Sequence, residues 1–364
     1  MDFTARQDRL AAIGGVDVIA LVPSANLRYF TGVSLPRSER LTLAFFAPDR
    51  GWHYLLPSLE AAQLSEEQQH SAYLWKDEDG PVRALRALFA DLNLTNVTLG
   101  VDGMSMWVSE WLLLKGLEPT LRVEPIEHDL AKIRAIKQPS ELAAIRRAVT
   151  ASEQALTQLL REVQPGMSER AIAASLERAL QDAGSERPAF NTLVQTGPNS
   201  ALPHGAAGGR NLEKGEFLLI DFGAVVSDYP ADITRTVCFG TPDREMQRVY
   251  DTVSTANRAA IAAIAPGVTM GDIDRAARDV IDEAGFGDYF VHRTGHGMGL
   301  EVHEPIPQIA AGVSDRLEPG MVFTVEPGIY LPGFGGVRLE EDVVVTDTGA
   351  EVLTRYPHQL SLGD

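Results

Sequence analysis

Pro165-Gly166-Met167-Ser168 and Pro266-Gly267-Val268-Thr269 stand 101 positions apart (266 − 165 = 101), and an Ala-Gly pair follows each, Ala183-Gly184 and Ala284-Gly285. The interval from proline to closing glycine is 19 in both (184 − 165 and 285 − 266). Ser168 and Thr269 suit helix N-caps, because a short side-chain oxygen accepts from a first-turn N–H. Gly184 and Gly285 suit the left-handed residue that closes a helix. An amphipathic helical pattern precedes each unit, over residues 145–163 and 246–264, and a β-rich stretch follows each. The region therefore reads as two similar halves, each of two helices and a hairpin or more.

Upstream of the repeat, Pro139-Ser140-Glu141 opens a helix with proline in its first turn. Leu142, Ile145, Val149, Leu156 and Leu160 then recur at helical spacing until Pro165-Gly166 stops it. Residues 126–138 are the expected linker. Before them, Val18–Val22, Leu41–Phe46 and Val97–Val101 read as strands. Residues 81–92 read as a helix with Val82, Leu85, Leu88 and Phe89 on one face. The fold class is α/β: an α/β domain over 1–125, and a duplicated α+β domain over 139–364. Two domains are also what 364 residues favour over a single core.

Hydrophobic content of 45% and charged content of 23% are globular values. A net charge of −18 repels a phosphate backbone, so nucleic acid is not an expected partner. Cys238 is the one cysteine, which excludes an intrachain disulfide and fits a reducing, cytoplasmic setting. Residues 1–10 mix acids and bases without an apolar run, unlike a signal peptide. The apolar stretch 16–22 is too short to span a bilayer, so no membrane partner is expected.

Four β-like segments carry polar residues where a core strand would not. Asp221 ends the apolar run 217–220. Asp232, Thr234 and Thr236 share one strand face. Glu326 ends the run 322–325, and Arg338 and Glu340 lie on one face of 337–343 with Glu341 on the other. Asp342 is expected either behind the ligands or at the surface. Between these pairs lies Gly295-His296-Gly297, whose glycines let the backbone come close to its neighbours. If the halves face each other, four carboxylates meet at the centre, an arrangement untenable without cations. Four carboxylates and an imidazole suit two divalent ions about 3.5–4 Å apart. Oxygen and nitrogen ligands without thiolate favour Mn, with Co or Zn as alternatives. Cys238 reads as a core filler.

The order Asp221, Asp232, His296, Glu326, Glu340 resembles the pita-bread metallopeptidases, which include methionine aminopeptidase, aminopeptidase P, prolidase and the metal-free creatinase. The resemblance runs from about residue 133 onward, and residues 133–142 look like the lead-in to the catalytic domain of the prolidase and aminopeptidase P branch. It implies a creatinase-like N-terminal domain and a pita-bread catalytic domain. It further implies that Asp221 holds one metal, Asp232 and Glu340 bridge both, and His296 and Glu326 complete the second. Glu326 is then the base for a bridging water. His204, His292 and Arg338 surround the proline pocket and the bound carboxylate, and His303 donates to the oxyanion, so that the catalytic residues are Glu326, His303 and His292. Tyr229, beside Asp232, also matches that branch. The implied activity is hydrolysis of the Xaa-Pro imide bond by an Xaa-Pro dipeptidase. Xaa-Pro aminopeptidase action on longer peptides is the alternative, and a non-catalytic binding module a third. A homodimer is implied as well, with residues 35–40 of a partner subunit helping to close the groove.

Overall fold

The computed structural model describes residues 2–362. They fall into two compact units, Met1–Arg134 and Ala135–Asp364. In the first unit, Val18–Leu21 lies at the centre of a mixed six-stranded sheet. It pairs antiparallel with Leu43–Ala47 and parallel with Thr98–Val101. Ala20, Leu43, Phe45, Leu55 and Leu99 are buried, and the helix Val82–Leu92 packs Leu85, Leu88 and Leu92 on them. Val82 departs from the expected face: it sits exposed in the first turn, one turn before the buried row begins. Residues 127–135, within the expected linker, form a helix, and the units part between Arg134 and Ala135.

The second unit is built as two halves. Helices Pro139–Glu162 and Glu169–Asp182 open the first, and Arg244–Ala263 and Met270–Glu283 open the second. Ser168 caps by accepting from Ala171 N–H, and Thr269 by accepting from Asp272 N–H. Gly184 and Gly285 both take positive φ, 90° and 81°, which a Cβ would resist. The Pro-Gly corners are equivalent too: Gly166 N–H donates to Leu212 O at 2.7 Å, and Gly267 N–H to Leu317 O at 2.8 Å. Each half has its own core. Ile145, Leu156, Ile172 and Leu176 close on Leu218 and Ile220 in the first. Val249, Val253, Ile273 and Ile281 close on Phe323 and Val343 in the second. Each such side chain contributes roughly 1.5–3 kcal/mol on burial.

Strands Phe217–Phe222 and Ile233–Cys238 form an antiparallel pair in the first half, with Thr234 opposite Asp221. In the second, Gly295–Gly297 lies beside Val322–Val325, which pairs with Glu341–Val345. The segment 337–343 is not one strand. Gly335–Arg338 pairs with Gly328–Leu331, and Glu341–Val345 belongs to the larger sheet. Leu339 and Glu340 make the crossing, where Asn257 donates to Leu339 O at 3.2 Å and to Val325 O at 2.9 Å.

Candidate metal centre

The five acid and imidazole groups singled out above come to one cavity of about 480 Å³ within the second unit. Asp221 reaches it from the penultimate position of its strand, and Asp232 from the residue just before the next strand. Glu326 follows Val322–Val325 directly, and Glu340 occupies the crossing between sheets. His296 is central in Gly295–Gly297. Its flanking glycines are sterically required: a Cβ on Gly295 would stand 1.8 Å from Thr324 O, and one on Gly297 2.4 Å from Ile306 O. His204, His292, His303 and Arg338 line the same cavity, joined by Phe190, Asn191, Leu193 and Arg293.

Ligand atoms of Asp232, His296 and Glu340 lie within 4.8 Å of one another. His296 Nε2 is 3.6 Å from Asp232 and 3.3 Å from Glu326. Its Nδ1 faces Gly297 O at 3.2 Å, which assigns the proton to Nδ1 and leaves the Nε2 lone pair aimed at carboxylates. Burial, with His303 alongside, lowers His296 to about 3, so the ring is neutral at neutral pH. Burial also lowers His292, to about 4, and His303. The rings of His296 and His303 are 4.0 Å apart between centroids.

The carboxylates show the opposite strain. Burial, then repulsion from Glu340 and Asp221, pushes Asp232 far above the usual range. Burial, Glu326 and Asp221 do the same to Glu340, and burial raises Glu326 to about 7. Asp221 Oδ1 is buried without a hydrogen-bond donor. An orphaned carboxylate oxygen, a lone pair aimed at acids and three acids that resist ionisation form a donor set that divalent cations satisfy. The residues present therefore fit a metal.

Neighbouring hydroxyls and backbone hold these groups in place. Thr234 Oγ1 donates to Glu340 at 2.6 Å, and Thr324 Oγ1 to Glu326 at 3.2 Å. Asp342 is fully buried behind the site and accepts from Asp232 N–H at 3.2 Å, so it is not a surface group. Arg338, 3% exposed, donates to Asp221, Thr234 and the Tyr330 hydroxyl. That hydroxyl lies 2.8 Å from His292 Nε2. Sequence reasoning passed over Tyr330, Asn191 and Arg293. Tyr330 alternates like any core strand residue, and only a phenol needing a polar partner hinted at more. Tyr229 does not line the cavity: it hydrogen-bonds Glu141 at 2.9 Å, at the start of the first long helix.

The family described as metallopeptidase family M24 matches residues 143–347, and the creatinase/prolidase N-terminal domain matches residues 5–136. An Xaa-Pro dipeptidase of Pyrococcus furiosus is 34% identical over 347 residues, covering 95% of each chain. The crystal structure of a prolidase from Thermococcus sibiricus superposes with a TM-score of 0.93 at 32% identity, covering 99% of both chains. An X-Pro aminopeptidase from Thermotoga maritima superposes with a TM-score of 0.88, also at 32% identity, covering 100% of both chains.

Proposed function

This chain belongs to metallopeptidase family M24, with a creatinase/prolidase N-terminal domain before its pita-bread domain, and on that premise we propose that it is a metal-dependent Xaa-Pro dipeptidase. What carries the proposal is one cavity holding two chemistries: an acid and imidazole cluster that fits cations, and beside it a basic wall of His204, His292, Arg293 and Arg338. Asp221, Asp232, His296, Glu326 and Glu340 would hold two divalent ions, manganese foremost, with cobalt or zinc as alternatives. Such ions supply a water acidified enough to attack near neutral pH and a Lewis acid for the scissile carbonyl.

The chain's own residues do the rest. Glu326, with Thr324 fixing its Oε1, takes the proton of the attacking water and passes it to the departing proline nitrogen. His303 donates from its ring to the oxygen that gains charge. Phe190 and Leu193 give the cavity an apolar side for the peptide. His292, fixed by Tyr330, and Arg338 flank the proline, and the basic wall receives the dipeptide's carboxylate. Xaa-Pro aminopeptidase action remains the alternative, favoured by the likeness to the Thermotoga enzyme. In this scheme residues 1–125 and 139–364 are the two working domains. The enzyme acts in the cytoplasm as a homodimer, and residues 35–40 of one subunit narrow the groove of the other. Among the described residues no helix is long and apolar enough to cross a membrane.

The test is hydrolysis of Ala-Pro and of Ala-Pro-Ala by manganese-loaded protein, with Asp232→Ala as control. Turnover of the dipeptide alone supports the dipeptidase, and turnover of the tripeptide moves the assignment to aminopeptidase. If neither is cut with Mn, Co or Zn, the proposal fails.

A further inference from the structure

Glu169 is a buried charge that the chemistry above does not use. It opens the helix Glu169–Asp182 and is 0% exposed. Among the described residues no Lys or Arg forms an ion pair with it. Its Oε1 accepts from Thr196 N–H at 2.8 Å, from the Thr196 hydroxyl at 3.1 Å and from the Asn199 amide at 2.8 Å. Its Oε2 accepts from Gly208 N–H at 2.8 Å. All four donors belong to one segment, 196–208. After a short 3-10 turn that segment is irregular, and its middle carries His204, an exposed residue at the cavity.

A buried carboxylate is costly unless its oxygens are satisfied, and here one loop satisfies them all. Conversely, an irregular loop must find partners for its backbone N–H groups, and two of them end on Glu169. The duplicated half shows what the fold itself needs at this place. The equivalent position there is Met270 (169 + 101 = 270), buried at the start of its helix, with its sulfur 3.4 Å from Gln308 N. The equivalent helix thus meets a regular strand, Glu304–Ile309, with a thioether. The carboxylate answers to the difference in the first half, where an irregular segment bearing His204 takes the place of that strand.

We propose that Glu169 is a positioning residue for the substrate side of the site, a role that rests on the peptide-binding part proposed for His204. It clamps both arms of the 196–208 segment so that the imidazole meets the peptide already oriented. Other contacts support the loop: Gln195 donates to Leu202 O at 2.7 Å, and Ser200 Oγ accepts from Gly336 N–H at 2.8 Å. Neither spans the segment from Thr196 to Gly208 as Glu169 does.

The test is Glu169→Gln, which keeps the shape but sets an amide N–H against one of the loop's donors. Hydrogen exchange of amides 197–209 in the metal-free protein should quicken, with exchange in the strands 217–222 and 322–325 unchanged. In the manganese-loaded enzyme, KM for Ala-Pro should rise roughly tenfold while kcat stays within about twofold. In the His204→Ala background the same substitution should leave KM where it is. Unchanged loop exchange overturns the proposal, and so does an equal KM penalty with and without His204. If Glu169→Gln does not fold, Thr196→Val with Asn199→Ala removes two donors from the loop side and must give the same pattern. A wild type that cuts no Xaa-Pro peptide overturns the peptidase assignment instead, and loop exchange then decides the clamp on its own.

Discussion

The two halves of the catalytic unit share helices, caps and Pro-Gly corners, yet they line one cavity with different groups. In the first half Asp221 and Asp232 sit on one antiparallel pair, while His204 rides on an irregular, exposed loop. In the second half His296, Glu326 and Glu340 come from three separate segments, and the groups around them interlock: His292 on Tyr330, Tyr330 on Arg338, Arg338 on Asp221. Each half also sets a buried helix acid on a threonine, at positions the repeat does not equate (169 + 101 = 270, not 274). Glu169 takes the N–H and hydroxyl of Thr196, and Asp274 takes the N–H and hydroxyl of Thr294, two residues before His296. Asp274 also holds Arg278, which donates to His292 O at 2.8 Å. Each half thus supplies both kinds of group: Asp221, Asp232 and His204 come from the first, and His296, Glu326, Glu340, His292, Arg293 and Arg338 from the second.

If the halves are interdependent, the largest loss should follow from a residue of one half held by the other. Glu340 is such a residue, gripped by Thr234. Glu340→Gln should cut Ala-Pro hydrolysis to below roughly a thousandth, several kcal/mol of transition-state stabilisation, with loss of bound metal by elemental analysis. Next comes the fastening behind the site. Arg235, 2% exposed, donates to Glu340 O at 2.6 Å and binds Glu341, which also meets His358 at 2.6 Å. Arg235→Met should cost about 3–5 kcal/mol in denaturant unfolding, because Glu341 is left buried without its guanidinium partner.

The pH dependence separates the two environments. Burial raises Glu341, but Arg235, His358 and Thr354 outweigh it and hold it below its usual 4.5. A depressed carboxylate stabilises the fold above its unfolded pKa and loses that contribution as pH falls through the folded value. Wild type should therefore lose more stability between neutral pH and pH 3–4 than Glu341→Gln does. The raised carboxylates act in the opposite sense. With metal chelated, Glu326 at about 7 and its neighbours destabilise the fold at high pH and are relieved as protons bind. The difference in Tm between metal-loaded and chelated protein should thus narrow as pH falls from 8 toward 5.

Smaller effects sharpen the equivalence. Thr234→Val should weaken metal binding about ten- to hundredfold by removing a hydroxyl that orients Glu340. Ser168→Ala and Thr269→Ala should each cost about 1 kcal/mol, and nearly the same amount, if the caps are true counterparts.

Much of this layout was legible in the sequence because it is written in backbone chemistry. Pro-Gly corners, Ser and Thr caps and glycine stops have few alternative uses, so their 101-residue offset exposed the duplication. Acids ending apolar runs stood out because core strands do not tolerate them. Other features were silent for physical reasons. Glu169 looks like any first-turn acid favoured by the helix dipole, and its burial depends on a loop 27–39 residues away. The crossing at Leu339–Glu340 leaves strand periodicity intact on both sides, so one strand was expected where there are two. Residues 127–135 carry so many charges that their helix looked like a linker.

The spread of the candidate ligands has a consequence for how such a protein is made. Asp221 and Glu340 are 119 positions apart (340 − 221), one in each half. A growing chain that has emerged only through the first half holds two of the five acid and imidazole groups and no second wall. Hydrolytic power then appears all at once, when the last strands close. A peptidase wired in this way stays silent until its own second half has been made.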